Sequence, residues 1–120
     1  MNYNVDFADG GSLLAGASYE AWTGAARTGT QKKPLTAIPA VSGASYGADW
    51  AADFNALADE ATNYLSVELY DVAGNTSTVT DAFIVKKDTT APRNTDGQSG
   101  DAAWRNSPGT AYNVDFSDPA

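Results

Sequence analysis

The chain has 120 residues, enough for one domain of roughly 100 residues around a single core. At 42% hydrophobic, with 3 Trp, 6 Tyr and 4 Phe, it is too apolar to be a disordered chain. Fifteen acidic against seven basic residues give a net charge of −8, which repels phosphate backbones and anionic headgroups and argues against a nucleic-acid partner.

Other absences narrow the chemistry. Without cysteine the chain forms no disulfide and no thiolate metal site, and without histidine it lacks the commonest general base and zinc ligand. No stretch approaches the ~20 apolar residues of a membrane span, so membrane insertion is not expected. Met1 is followed by polar Asn2 and by no basic and apolar leader.

In chain order, Tyr3, Val5 and Phe7 alternate with Asn4 and Asp6, the period of a half-buried strand, which stops at the turn residues Asp9-Gly10-Gly11. From Leu13 to Trp22 a second strand places Ala17, Tyr19 and Ala21 on one face and Ser18, Glu20 and Trp22 on the other. Residues 23 to 47 are poor in large apolar side chains, which predicts short edge strands and loops, with Pro34 and Pro39 incompatible with a central strand. Between Ala48 and Glu60, Trp50, Phe54 and Leu57 fall at helical spacing in an alanine-rich run, and propensity alone favours a short helix.

The clearest signal follows. Leu65, Val67 and Leu69 alternate, as do Val79, Phe83 and Val85, and the loop Asp71-Val72-Ala73-Gly74-Asn75 joins them, a pattern that predicts a β-hairpin with those residues on the core face. Asp88-Thr89-Thr90-Ala91-Pro92 comes next, where proline fixes φ and forces Ala91 extended, as in a stiff exit linker. Residues 93 to 103 carry no large apolar side chain and suggest a linker or edge segment.

The succession of strand, Asp71-x-Ala73-Gly74-Asn75, strand and Asp88-Thr89-Thr90-Ala91-Pro92 resembles the closing hairpin and exit linker of bacterial immunoglobulin-like modules, which occur in tandem on very large surface and secreted proteins. The resemblance spans residues 3 to 92 and is densest from 64 to 92. It implies an all-β, Ig-like two-sheet Greek-key sandwich of about seven strands. It further implies a strand from Asp49 to Phe54, with Trp50, Ala52 and Phe54 inward, then a helical turn from Ala56 to Asp59. The implied role is that of a non-enzymatic structural spacer or fibre repeat, adhesin-like, outside a bacterial cell or on its surface.

An internal repeat sets the phase. Tyr3-Asn4-Val5-Asp6-Phe7-Ala8-Asp9 returns as Tyr112-Asn113-Val114-Asp115-Phe116-Ser117-Asp118, offset by about one module. The expected organisation is therefore a permuted one: residues 1–92 a module without its first strand, 93–103 a linker, and 104–120, from Trp104-Arg105-Asn106-Ser107-Pro108 onward, the opening strands of the next copy. An open strand edge invites completion by a neighbour, so residues 104 to 117 are expected to complete a sandwich in the next subunit or the next copy, a head-to-tail contact that does not close and so builds filaments. Neighbouring copies are the expected partners. A glycan or surface receptor, stacked on Trp22, Trp50 or Trp104, is the alternative.

Candidate site residues are few. Asp9, Asp71, Asn75 and Asp88 offer hard oxygens for calcium if the loops converge, but turn chemistry explains the same residues. An isopeptide bond among Glu68, Lys86 or Lys87, and Asp115 requires all three on a core face, and Glu68 and Asp115 occupy the polar phase of their strands. Without histidine or a Gly-x-Ser-x-Gly motif no catalytic residues are expected, nor any cofactor beyond that calcium.

Overall fold

The computed structural model describes residues 2–97, 104–107, 111 and 113–119. They form ten strands and two 3-10 turns, so the chain is all-β, with several antiparallel sheets. Contacts divide it into two units, Met1–Lys87 and Asp88–Ala120.

In the first unit, the long strands are β3 (Leu14–Gly24), β4 (Thr28–Ile38), β7 (Ala61–Asp71) and β8 (Thr76–Lys87). They form one antiparallel sheet in the order β4-β3-β7-β8. The alternation in β3 puts Ala17, Tyr19 and Ala21 on the inner face, where they meet Leu65, Val67 and Val85 in one buried cluster. Four short strands complete the unit: β1 (Asn2–Tyr3) pairs with β6 (Trp50–Ala51), and β2 (Phe7–Ala8) with β5 (Ser45–Tyr46). Phe7, Val41, Trp50 and Leu57 join the same core, and burying an apolar side chain of this kind contributes about 1.5–3 kcal/mol.

Several segments differ from the sequence expectation. The opening strand is interrupted, because Asn4, Val5 and Asp6 lie between β1 and β2 without strand pairing. Strand β4 is long where short strands are expected, yet it occupies a sheet edge, where Pro34 lacks no ladder partner. In the β7–β8 hairpin Leu65 faces Phe83 but Val67 faces Val79, so β8 carries two extra residues. Asp81 sits in this bulge at φ 52, and Val79 is 53% exposed instead of buried.

Residues 48 to 60 combine both expectations in shorter form. Only Trp50 and Ala51 are strand, and the helical turn falls at Phe54–Ala56, not 56 to 59. Trp50 is buried as expected, while Phe54 is exposed, with the Lys87 ammonium 5.2 Å from its ring centroid. The turn before β7 is locked by Asn63, which is 0% exposed. Its side-chain oxygen accepts the Ala58 N–H at 2.8 Å, and its side-chain amide donates to the Ala58 carbonyl at 2.9 Å.

In the second unit, β9 (Arg93–Asp96) pairs antiparallel with β10 (Val114–Ser117). The first four residues of the expected linker are thus strand, and Pro108, Tyr112 and residues 98–103 lie outside the described ones.

Candidate functional site

Three of the four calcium candidates converge. Asp9, Asp71 and Asn75 line one cleft of about 150 Å³ with Leu14, Leu69 and Tyr70, at the end of the sheet where the loop after β2 meets the β7–β8 turn. The loops are stitched together, because Val72 donates its N–H to the Leu13 carbonyl at 3.0 Å and Ala73 donates to the Ser12 hydroxyl at 3.3 Å. Asp88 belongs to the second unit, where its carboxylate accepts the Thr90 N–H at 2.9 Å.

The acceptor capacity in the cleft is largely spent on the turn itself. Asp71 accepts the backbone N–H of Asn75 at 2.7 Å through one carboxylate oxygen and the Asn75 side-chain amide at 2.7 Å through the other. Donation by that side chain, aided by the backbone amides of Asn75 and Gly74 and by Ser12, holds the Asp71 carboxyl below the usual carboxylate range despite partial desolvation. Gly74 donates to the Asp71 carbonyl at 3.1 Å with φ 90, a conformation that suits glycine. Asp9 accepts the Gly11 N–H at 2.9 Å through one oxygen, and its other carboxylate oxygen is buried and unpartnered. No group of three or more His, Cys, Asp or Glu side chains is placed for a metal among the described residues. As built, the site closes a hairpin.

On the opposite face of the long sheet lies a polar cluster that the sequence did not single out. Glu20 is buried and faces Ser66 across the strands. Its carboxylate pairs with Arg27 at 2.6 Å and accepts the Gln31 side-chain amide at 2.9 Å. The β3–β4 connection folds back over β8, and Ala26 donates its N–H to the Asp81 carboxylate at 2.7 Å while Asp81 donates its own N–H to the Ser66 hydroxyl at 3.0 Å. Ala26, Arg27 and Asp81 all take positive φ, so the bulge and this connection hold each other in a costly geometry. The available sequence signal was Glu20 within an otherwise small or apolar strand, which implies a partner, although the partner's position does not follow from spacing.

The remaining candidates separate. Glu68 pairs across strands with Thr78 and Ser18, away from Lys87, whose ammonium donates to the Leu57 carbonyl at 3.1 Å. Of the three tryptophans, Trp50 is spent in the core, Trp22 is half-buried opposite Tyr64 on the outer sheet face, and Trp104 is fully exposed. In the second unit, Phe116 is 79% exposed and borders a shallow cleft with Pro92, Arg93 and Asn94.

No protein-family model matches the chain, and no curated protein or solved structure is significantly similar to it.

Proposed function

We propose that the chain is a structural spacer repeat of a long extracellular or surface-attached bacterial protein. Its copies are Ig-like Greek-key sandwiches that follow one another at the spacing of the repeated heptapeptide. The observation that carries this reading is the recurrence of Tyr3–Asp9, which lies in the first unit, as Tyr112–Asp118 in the second, with Ser117 in place of Ala8 as the one difference. In it, the segment ending in β10 supplies the next copy with the strand that Tyr3–Asp9 supplies here, so copies are joined head to tail by shared sequence. The work is mechanical: it needs no catalytic residue, and neighbouring copies are the partners.

The test is an array of one, two and three copies, made by continuing after Asp118 with Gly10, and measured by small-angle X-ray scattering. A spacer adds a constant increment of maximum dimension per copy. A dimension that grows only as a compact cluster rejects the reading. A glycan-binding role is the second reading, favoured by the full exposure of Trp104 and the Trp22–Tyr64 pair. It expects signal on a glycan array that Trp104→Ala or Trp22→Ala removes.

A further inference from the structure

The two copies of the heptapeptide are paired along different parts of their backbones. In the first copy Phe7 and Ala8 pair with β5, and Asp9 donates its N–H to the Ala44 carbonyl at 2.9 Å. Alternate residues of an antiparallel strand direct their backbone groups to the same neighbour. Phe7 and Asp9 therefore address β5, and Asp6 and Ala8 address the opposite edge, where no strand lies among the described residues. In the second copy all four of Val114, Asp115, Phe116 and Ser117 are paired, with Asp96, Thr95, Asn94 and Arg93 in turn. Val5 and Asp6, which belong to no strand, correspond to Val114 and Asp115, which do.

We propose that the open edge of Val5–Ala8 is a docking site for the strand Arg93–Asp96 of a preceding copy of this chain, so that β9 belongs structurally to the module that follows it. The proposal rests on the tandem reading above. Carrying the β9–β10 register over to the first copy sets Asp96 opposite Val5, Thr95 opposite Asp6, Asn94 opposite Phe7 and Arg93 opposite Ala8. Arg93 then shares a face with Asp6 at the diagonal position, an attractive charge pair across strands. Docking extends pairing into the unpaired stretch at Val5 and Asp6 and makes the heptapeptide a central strand with a neighbour on each side. The joint between modules shrinks to Asp88–Pro92.

The test uses calorimetry on the two-copy array, residues 1–118 followed by residues 10–120, in which only the second core unit has a β9 upstream. Two transitions are expected, the upper one roughly 5 °C or more above that of the 120-residue chain, the shift a stabilisation of about 1 kcal/mol produces in a domain this size. Thr95→Pro in the first β9 removes a ladder N–H and merges the two transitions, while Thr95→Ser leaves them apart. In the 120-residue chain Thr95→Pro leaves the melting of residues 1–87 where it was. A single array transition at the temperature of the 120-residue chain, or two transitions that Thr95→Pro fails to merge, overturns the proposal. Scattering judges the spacer reading separately: an extended array with one transition retains the spacer and discards the docked strand.

Discussion

The same side chain in the same heptapeptide context has opposite fates in this molecule. Phe7 is 7% exposed, its ring 5.9 Å from that of Tyr46 and packed into the core, whereas Phe116 is 79% exposed beside Pro92. Sequence of this length fixes the preference for an extended backbone with an apolar face, and it does not fix whether that face is covered. Cover is supplied from elsewhere, here by Trp50, Tyr46 and the inner face of the long sheet. Repetition is thus evidence of equivalent capacity, and equivalent environment requires equivalent neighbours.

The sharpest way to break this comparison is to remove both rings in turn. Phe7→Ala is expected to destabilise the first unit by about 3–5 kcal/mol, the usual cost of deleting a buried aromatic, while Phe116→Ala stays within about 0.5 kcal/mol as an exposed change. Chemical denaturation of the two variants checks this, and equal costs would mean that the two copies are equivalent after all. A smaller effect is expected at Tyr3, whose ring stacks on Phe83 with centroids 4.4 Å apart. Tyr3→Leu keeps most of the apolar volume and loses about 1 kcal/mol of ring contact, and a neutral result would show that β1 contributes no specific packing.

Acid provides a milder probe of the first unit. Asp71 is held low chiefly by the Asn75 side chain and Asp53 chiefly by its hydrogen bond with Lys33, so in the folded state both lose their charge at lower pH than an unfolded aspartate, near pH 3.9. Their contributions are complete above that value and vanish as the pH falls through the folded-state values. Melting temperature is expected to be flat from neutral pH to about pH 5 and to drop below about pH 4. Asp71→Asn should flatten part of that drop, and an unchanged acid limb in the variant would contradict the assignment. Lys33 is raised by the same partnership, so its contribution persists below its unfolded value and disappears only as alkali passes the raised one. The smallest effect is expected from calcium. With both Asp71 oxygens already accepting from Asn75, melting should be the same in calcium and in chelator, and a rise with calcium would turn the cleft at Asp9 and Asp71 into a binding site.

Much of the long sheet was legible because period-two alternation and a strong turn loop are local signals: Tyr19, Leu65, Val67 and Val85 are buried as their spacing requires. Val79 misled although the two residues inserted at the Asp81 bulge keep it in phase, opposite the buried Val67: it lies on an edge strand, and alternation tells which face a side chain takes, not whether that face is covered there. Phe54 misled because two strand residues and one helical turn fit the spacing of Trp50, Phe54 and Leu57 as well as a longer element does. Of the candidate site, the Asp71–Asn75 turn was readable from composition. Its convergence with Asp9 depends on the tie between the loop after β2 and the hairpin turn, which is a tertiary fact. The Asn63 side chain likewise donates to the Val85 carbonyl of β8 at 3.3 Å and the Glu20 carboxylate accepts from Gln31 of β4, contacts that strand pairing decides.

Both outer margins of the β4-β3-β7-β8 sheet are open among the described residues, and both are blunted. One carries Lys32, Lys33 and Pro34, and the other is buckled at Asp81. Margins of this kind resist zipping onto a twin. In the array proposed above, each copy would fold beside a near-replica of itself. A proline and a kink at the rims would then keep neighbouring copies separate during synthesis.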